Sequence, residues 1–172
     1  AASDVYKRQG LKRPLDLALE ITRSSPFKIS LSEGAEPRVV EAAVKAVNLG
    51  IAKIILVGHF AKVKEQLEHY SCSKPDHIEL HDPMTSPLKE EFSKSFYNLR
   101  KHKGITRSEA EKQVASNLVY AALLVKHGYA DGTLSGSVET TSNVVKTALW
   151  VIGKATNVNT CLLYTSDAAD DT

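Results

Sequence analysis

Apolar residues recur along this chain in two periods that take turns. Phe27-Lys-Ile-Ser-Leu31 alternates and reads as a strand. Ala52-Lys-Ile-Ile-Leu-Val57 is a short, nearly continuous apolar run, which suits a parallel strand buried on both faces. Ile78-Glu-Leu80 predicts a third strand and Ala130 to Ser135 a fourth. Helical spacing fills the intervals. It covers Leu11 to Ile21, then Val39, Val40, Ala43, Ala46 and Val47 behind Pro37 and before Gly50. It returns over Ala61 to His69, Pro87 to His102, and Arg107 to His127 with a break near Ser116-Asn117. A last helix is predicted over Thr140 to Ile152, from Val144, Val145, Ala148, Leu149 and Ile152.

Strand and helix therefore alternate, which predicts an α/β fold: right-handed βαβ units around a parallel sheet flanked by helices. Ligands of such sheets bind beyond the carboxyl ends of the strands. Ser32–Glu36, Gly58-His59, Asp82–Thr85 and Ser135–Thr141 all lie there.

The two ends change the picture of what belongs to the fold. Cys161 to Ala169 can be encoded by TGT CTC TTA TAC ACA TCT GAC GCT GCC. The reverse complement of that string, read one base in, encodes Ala1 to Arg8 and begins the codon of Gln9. Opposite strands of one DNA at the two ends are no folding feature. They resemble translated sequencing-library adapter, so residues 1–9 and 161–172 are expected to be foreign. The natural piece is then residues 10–160, expected to be a single truncated domain.

The chain carries 22 basic and 20 acidic residues; without the charged residues of the two ends, 20 and 16 remain, a net charge of +4. That suits an anionic small molecule and is too weak and dispersed for nucleic acid. No apolar run is long enough to span a membrane, and a cytoplasmic protein is expected. With Cys161 set aside, Cys72 alone cannot build a disulfide framework or a cysteine zinc site. His59, His69, His77, His102 and His127 show neither metal-ligand spacing nor a nucleophile partner.

Two segments could carry chemistry. Leu134-Ser135-Gly136-Ser137 runs into Glu139-Thr140-Thr141-Ser142, the hydroxyl-rich start of the last helix. Free amides at a helix start carry roughly half a positive charge, and small residues let a phosphate approach the backbone. Glycine with hydroxyl caps also starts many helices that bind nothing. Leu99-Arg-Lys-His-Lys-Gly104 ends a helix. Its cations suit the helix dipole and Gly104 is the expected terminator. Arg100 could equally be a two-pronged clamp for phosphate or pyrophosphate. Asp131, in an Asp-Gly pair before a strand, reads as turn chemistry rather than as a base.

Asn98 to Thr106, preceded by Asp82-Pro83 and followed by Ala130-Asp-Gly-Thr-Leu-Ser-Gly136, resembles the phosphate acetyltransferase family. Leu31 to Ala43 is similar to the family's opening strand, loop and helix, and the resemblance covers almost all of residues 28–160. It implies the first lobe of a two-lobed acyltransferase of isocitrate-dehydrogenase-like architecture, usually a homodimer. The implied activity interconverts acetyl-CoA plus phosphate with acetyl phosphate plus CoA. Coenzyme A is then a substrate, with no metal or prosthetic group. By the same resemblance Arg100 contacts the cofactor, and Ser135, Gly136, Ser137, Thr140 and Thr141 lie at the phosphoryl end of the cleft. Lys146 stands where the family commonly has arginine, Thr147 where it has proline, Glu139 where it has histidine and Ser32 where it has proline.

The family's catalytic base, and its stabilising Ser and Arg, come from the second half of the enzyme. The chain is therefore expected to be an inactive piece with no catalytic residue of its own. An acyltransferase-like domain that senses acetyl-CoA in a malic enzyme is the alternative, and a decarboxylating dehydrogenase of related architecture is the third.

Overall fold

The computed structural model describes residues 20–22 and 25–154. The helix expected over Leu11–Ile21 falls almost wholly outside them, as do the adapter-like ends at residues 1–9 and 161–172. Four strands, β1 (Phe27–Leu31), β2 (Ala52–Val57), β3 (Ile78–His81) and β4 (Gly132–Leu134), form one sheet in the order β3-β2-β1-β4. All neighbours are parallel. Around the sheet lie α1 (Pro37–Asn48), α2 (Phe60–Glu68), α3 (Lys89–Arg100), α4 (Arg107–Val114), α5 (Asn117–Lys126) and α6 (Thr141–Val151).

The unbroken apolar run of β2 has a direct cause. Ala52, Ile54 and Leu56 pack with Val40, Val47 and Val63 under α1 and α2. Ile55 and Val57 point the other way and join Phe92, Phe96, Leu123 and Leu124. Both faces are covered, so the alternation of a half-buried strand disappears. Helix α5 repeats the logic in helical form. Every residue from Leu118 through Leu124 is buried, the mark of a helix enclosed on all sides. It lies between the sheet and the outer helices α3, α4 and α6. Ser30 admits it closely, its hydroxyl donating to the Ala121 carbonyl at 3.2 Å.

Local signals set the helix ends. Thr106 and Glu109 form a reciprocal capping box that starts α4. The basic run after α3 winds down through a short 3-10 turn, Lys101–Lys103, and stops at Gly104 with φ +81°. That left-handed conformation favours glycine. The break between α4 and α5 falls at Ala115-Ser116, where the spacing predicts it.

Strand β4 is shorter than its sequence predicts, three residues in place of six. The Ala130 amide donates to the Leu124 carbonyl and so belongs to the end of α5. Asp131 is held by the main chain of Lys28 in both directions, its amide donating to Lys28 O and its carboxylate accepting from Lys28 N, each at 2.7 Å. Asp131 thus ties the amino end of the sheet. Among the described residues β4 pairs with β1 alone and forms one edge.

The chain leaves β1 for α1 on one face of the sheet and leaves β4 for α6 on the other. This is the topological switch point, where a crevice opens between two diverging loops. The β1 loop has almost no freedom there. The Gly34 amide donates to the Val57 carbonyl at 3.0 Å. A Cβ on Gly34 would stand 2.9 Å from that same oxygen and 3.1 Å from the Leu56 carbonyl carbon. At the carboxyl end of β3, the buried Tyr120 hydroxyl bonds to Ser86 Oγ at 2.6 Å and to His81 Nδ1 at 3.1 Å.

Gly34→Ala is expected to destabilise the fold by about 1–3 kcal/mol, because backbone rather than a flexible side chain must move. Tyr120→Phe leaves two partners short of a bond and is expected to cost about 1–2 kcal/mol. Urea unfolding followed by circular dichroism reads both.

Candidate functional site

The expected site residues fall into two groups, one at each end of α6. Ser135, Gly136, Ser137, Thr140 and Thr141 occupy the loop from β4 to α6, on the β4 side of the switch-point crevice. Facing them is the β1 loop. The two sides are joined by side chains: Ser32 Oγ lies 2.7 Å from Ser135 Oγ, and Arg38 Nη2 donates to the Ser137 carbonyl at 3.3 Å. A groove of about 330 Å³ opens here, lined by Ser32, Glu33, Ala35, Asn117, Val138 and Glu139.

Glu33 dominates this crevice. Its Oε2 accepts from the amides of Gly136 (3.2 Å) and Ser137 (2.8 Å), and its Oε1 from those of Val138 and Glu139 (both 2.7 Å). Four successive amides converge on one carboxylate, a backbone anion nest. Gly136, at φ +113°, makes the turn that directs them. Burial pushes the Glu33 carboxyl up, but the four amide donors outweigh it and hold it below its ordinary value of 4.5. The main-chain donors of Gly136 and Ser137 expected to meet a phosphate are thus engaged by an anion of the chain itself.

The hydroxyls at the start of α6 are arranged differently. Thr140 is the N-cap, its Oγ1 accepting from the Asn143 amide at 3.3 Å, and Thr141 is exposed as the first helical residue. The Glu139 carboxylate accepts from Asn143 Nδ2 at 3.1 Å, so this second acid beside the crevice has a donor of its own.

Arg100 and Lys146 form the second group. The Arg100 guanidinium carbon lies 4.5 Å from the Trp150 ring centroid and Lys146 Nζ lies 4.9 Å from it. Both cations rest on one indole, an attraction of about 0.5–1 kcal/mol each at partly exposed positions. Beside them is an open groove of about 310 Å³, lined by Phe96, Arg100, Lys103, Gly104, Ile105 and Trp150. Trp150 follows Thr141 by nine positions of α6. Trp150, on which both cations rest, therefore stands about 13 Å from Thr141 along the helix axis, on the same side of the sheet, although Lys146 itself follows Thr141 by only five positions. Neither of these two grooves contains both groups.

Glu33 and Trp150 are the two residues sequence reasoning missed. A glutamate in a loop has no periodicity to mark it; only its place beyond β1, opposite a Gly-Ser turn, pointed there. Trp150 reads as one more apolar position of α6. A larger groove of about 600 Å³ lies elsewhere, between α3 and α4 around Tyr97 and Arg107, and holds none of the expected residues. Among the described residues no group of three or more His, Cys, Asp or Glu is placed to hold a metal ion. None of their helices is long and apolar enough to cross a membrane.

Comparison with known proteins agrees with this architecture. The family model described as phosphate acetyl/butaryl transferase matches residues 15–164. The phosphate acetyltransferase of Clostridium acetobutylicum is 37% identical over 139 residues, 81% of this chain and 41% of that protein. That of Thermoanaerobacterium thermosaccharolyticum is 35% identical over 137 residues, 80% of this chain and 41% of that protein. The chain thus spans about two fifths of the length of these relatives. In three dimensions it superposes on the EutD phosphotransacetylase from Staphylococcus aureus with a TM-score of 0.75 at 30% identity, covering 85% of this chain and 44% of that one. A phosphotransacetylase from Streptococcus pyogenes gives 0.72 at 28% identity, covering 80% and 41%. An α/β lobe with its loops gathered at the switch point, matched along nearly its whole length, belongs to the phosphate acetyl/butaryl transferase family.

Proposed function

We propose that this chain is the first lobe of a phosphate acetyltransferase, supplying one wall of the cleft in which acetyl-CoA and phosphate are exchanged for acetyl phosphate and CoA. The observation that carries the reading is the gathering of the Ser135–Thr141 loop at the switch point of a family member's sheet. The catalytic reading has further support, since the relatives named above are acyltransferases rather than regulatory domains.

In this reading the CoA thiolate attacks the carbonyl of the acyl phosphate directly. The carbon–sulfur bond forms, the carbon–oxygen bond to phosphate breaks, and phosphate leaves with the electron pair. The lobe's task is positioning, which can contribute several kcal/mol to a bimolecular step when both partners are held. Arg100 and Lys146 hold the anionic part of coenzyme A. The hydroxyls of Ser135, Ser137, Thr140 and Thr141 hold phosphate oxygens at the other end of α6, with Gly136 keeping the turn between them open. The rise of about 13 Å along the helix from Thr141 to Trp150, where the two cations meet, suits a long substrate with a charged portion far from its reacting end. The base for the thiol and the donors for the tetrahedral intermediate come from a second lobe, so this lobe alone binds without turning over. The whole enzyme is a cytoplasmic homodimer that needs no metal or prosthetic group.

The test is to assay the intact protein containing this lobe for CoA-dependent formation of acetyl phosphate. No turnover by a folded protein at saturating substrate would reject the reading. Arg100→Ala is expected to weaken CoA binding by about 1–3 kcal/mol with folding unchanged. Trp150 lies against both cations, so occupancy of that place alters its emission, which reports the titration. Equal affinity in the variant would mean that the basic run only terminates a helix.

A further inference from the structure

Glu33 has no role in the chemistry just described, yet no other side chain among the described residues bonds to four main-chain amides in succession. Each carboxylate oxygen accepts two of them, from Gly136 and Ser137 on one side and from Val138 and Glu139 on the other. Its backbone is fixed as well. The next residue, Gly34, is bonded to the end of β2 with no room for a side chain. The link therefore joins a firm point, the β1 loop pinned on β2, to the turn that leads into α6. Ser32 with Ser135, and Arg38 with the Ser137 carbonyl, reinforce it on either side.

We propose that Glu33 is a positioning residue for the phosphate substrate: it fills the Gly136–Glu139 nest itself and holds that turn, so that Ser135, Thr140 and Thr141 keep their places on the β4 side of the crevice. The proposal rests on the functional reading above and sharpens it. Substrate phosphate is held by hydroxyls beside the nest, not by the nest's amides. A carboxylate is the fitting occupant, because charge-assisted bonds to amides are stronger than neutral ones. The charged groups facing it from the packed loops are Glu36 and Arg38 from the β1 side and Glu139 from the β4 side. Arg38 Nε is taken by Glu36.

The experiment compares wild type, Glu33→Gln and Glu33→Asp in the intact acyltransferase. Glutamine keeps the size but turns an NH2 group toward two of the amides; aspartate keeps the charge and falls short. Both variants are expected to raise KM for phosphate by about 10–100-fold, the scale of a small misplacement. CoA affinity, read from Trp150, should stay unchanged. Amide exchange at residues 136–139 should quicken. Faster exchange with an unchanged phosphate KM would overturn the proposal, since the link would then be structural only. Should the variants fail to fold, the wild type decides. With saturating phosphate the Glu33 carboxyl, followed by carbon NMR, is expected to keep its lowered titration. A return to the ordinary range would mean that phosphate displaces it, and would overturn the proposal.

Acid provides a second wild-type readout. A carboxyl lowered on folding contributes stability fully above its unfolded value, near 4.5, and loses it as pH falls through the folded value. Protection of the four amides should follow that course. Absence of acyl transfer by the wild type would remove the functional reading together with this proposal. Transfer with unaltered variants removes the proposal alone.

Discussion

The crevice of this lobe depends on a divergence: adjacent parallel strands β1 and β4 send their chains to opposite faces of the sheet. Ladder bonds alone hold such a junction weakly, because β4 contributes only Gly132–Leu134 and pairs with β1 over three positions. Beyond Leu31 and Leu134 the two backbones separate and can no longer bond to each other. The carboxylate of Glu33 spans the gap that follows. One side chain does what several more ladder rungs would do, and leaves open space between the loops where rungs would have closed it.

Much of this architecture was legible before any coordinates. The limits of β1 and β2 are those the apolar pattern predicts, and the break before α5 falls where the spacing weakens. These succeeded because burial repeats with the period of the element that causes it. The sequence predicts too long a β4 because Ala130 and Asp131 are compatible with a strand. Their main-chain bonds go instead to Leu124 and Lys28, and such long-range competition leaves no local mark.

The site was legible in position more than in partnership. The small and hydroxyl residues after β4 lie beyond the carboxyl end of that strand, as the alternation of elements predicts, whereas Arg100 and Lys146 meet on Trp150 away from them. The residue that brings them there, Trp150, and the acid that meets the amides, Glu33, are connected to their partners only through the fold. Glu33 and Gly136 are 103 positions apart. Sequence spacing predicts contacts within an element and is silent across such a distance. The departures at Ser32 and Glu139 also make sense only in three dimensions: one hydroxyl pairs with Ser135, and the carboxylate has Asn143 as its donor.

The short strand β4 has a consequence for handling the lobe in isolation. Its outer side has no strand partner among the described residues, and Leu134 and Val138 stand 67% and 68% exposed beside it. Such a rim is a template for another extended segment. Left bare, it can pair side by side with the same rim of another molecule, an association that grows with concentration.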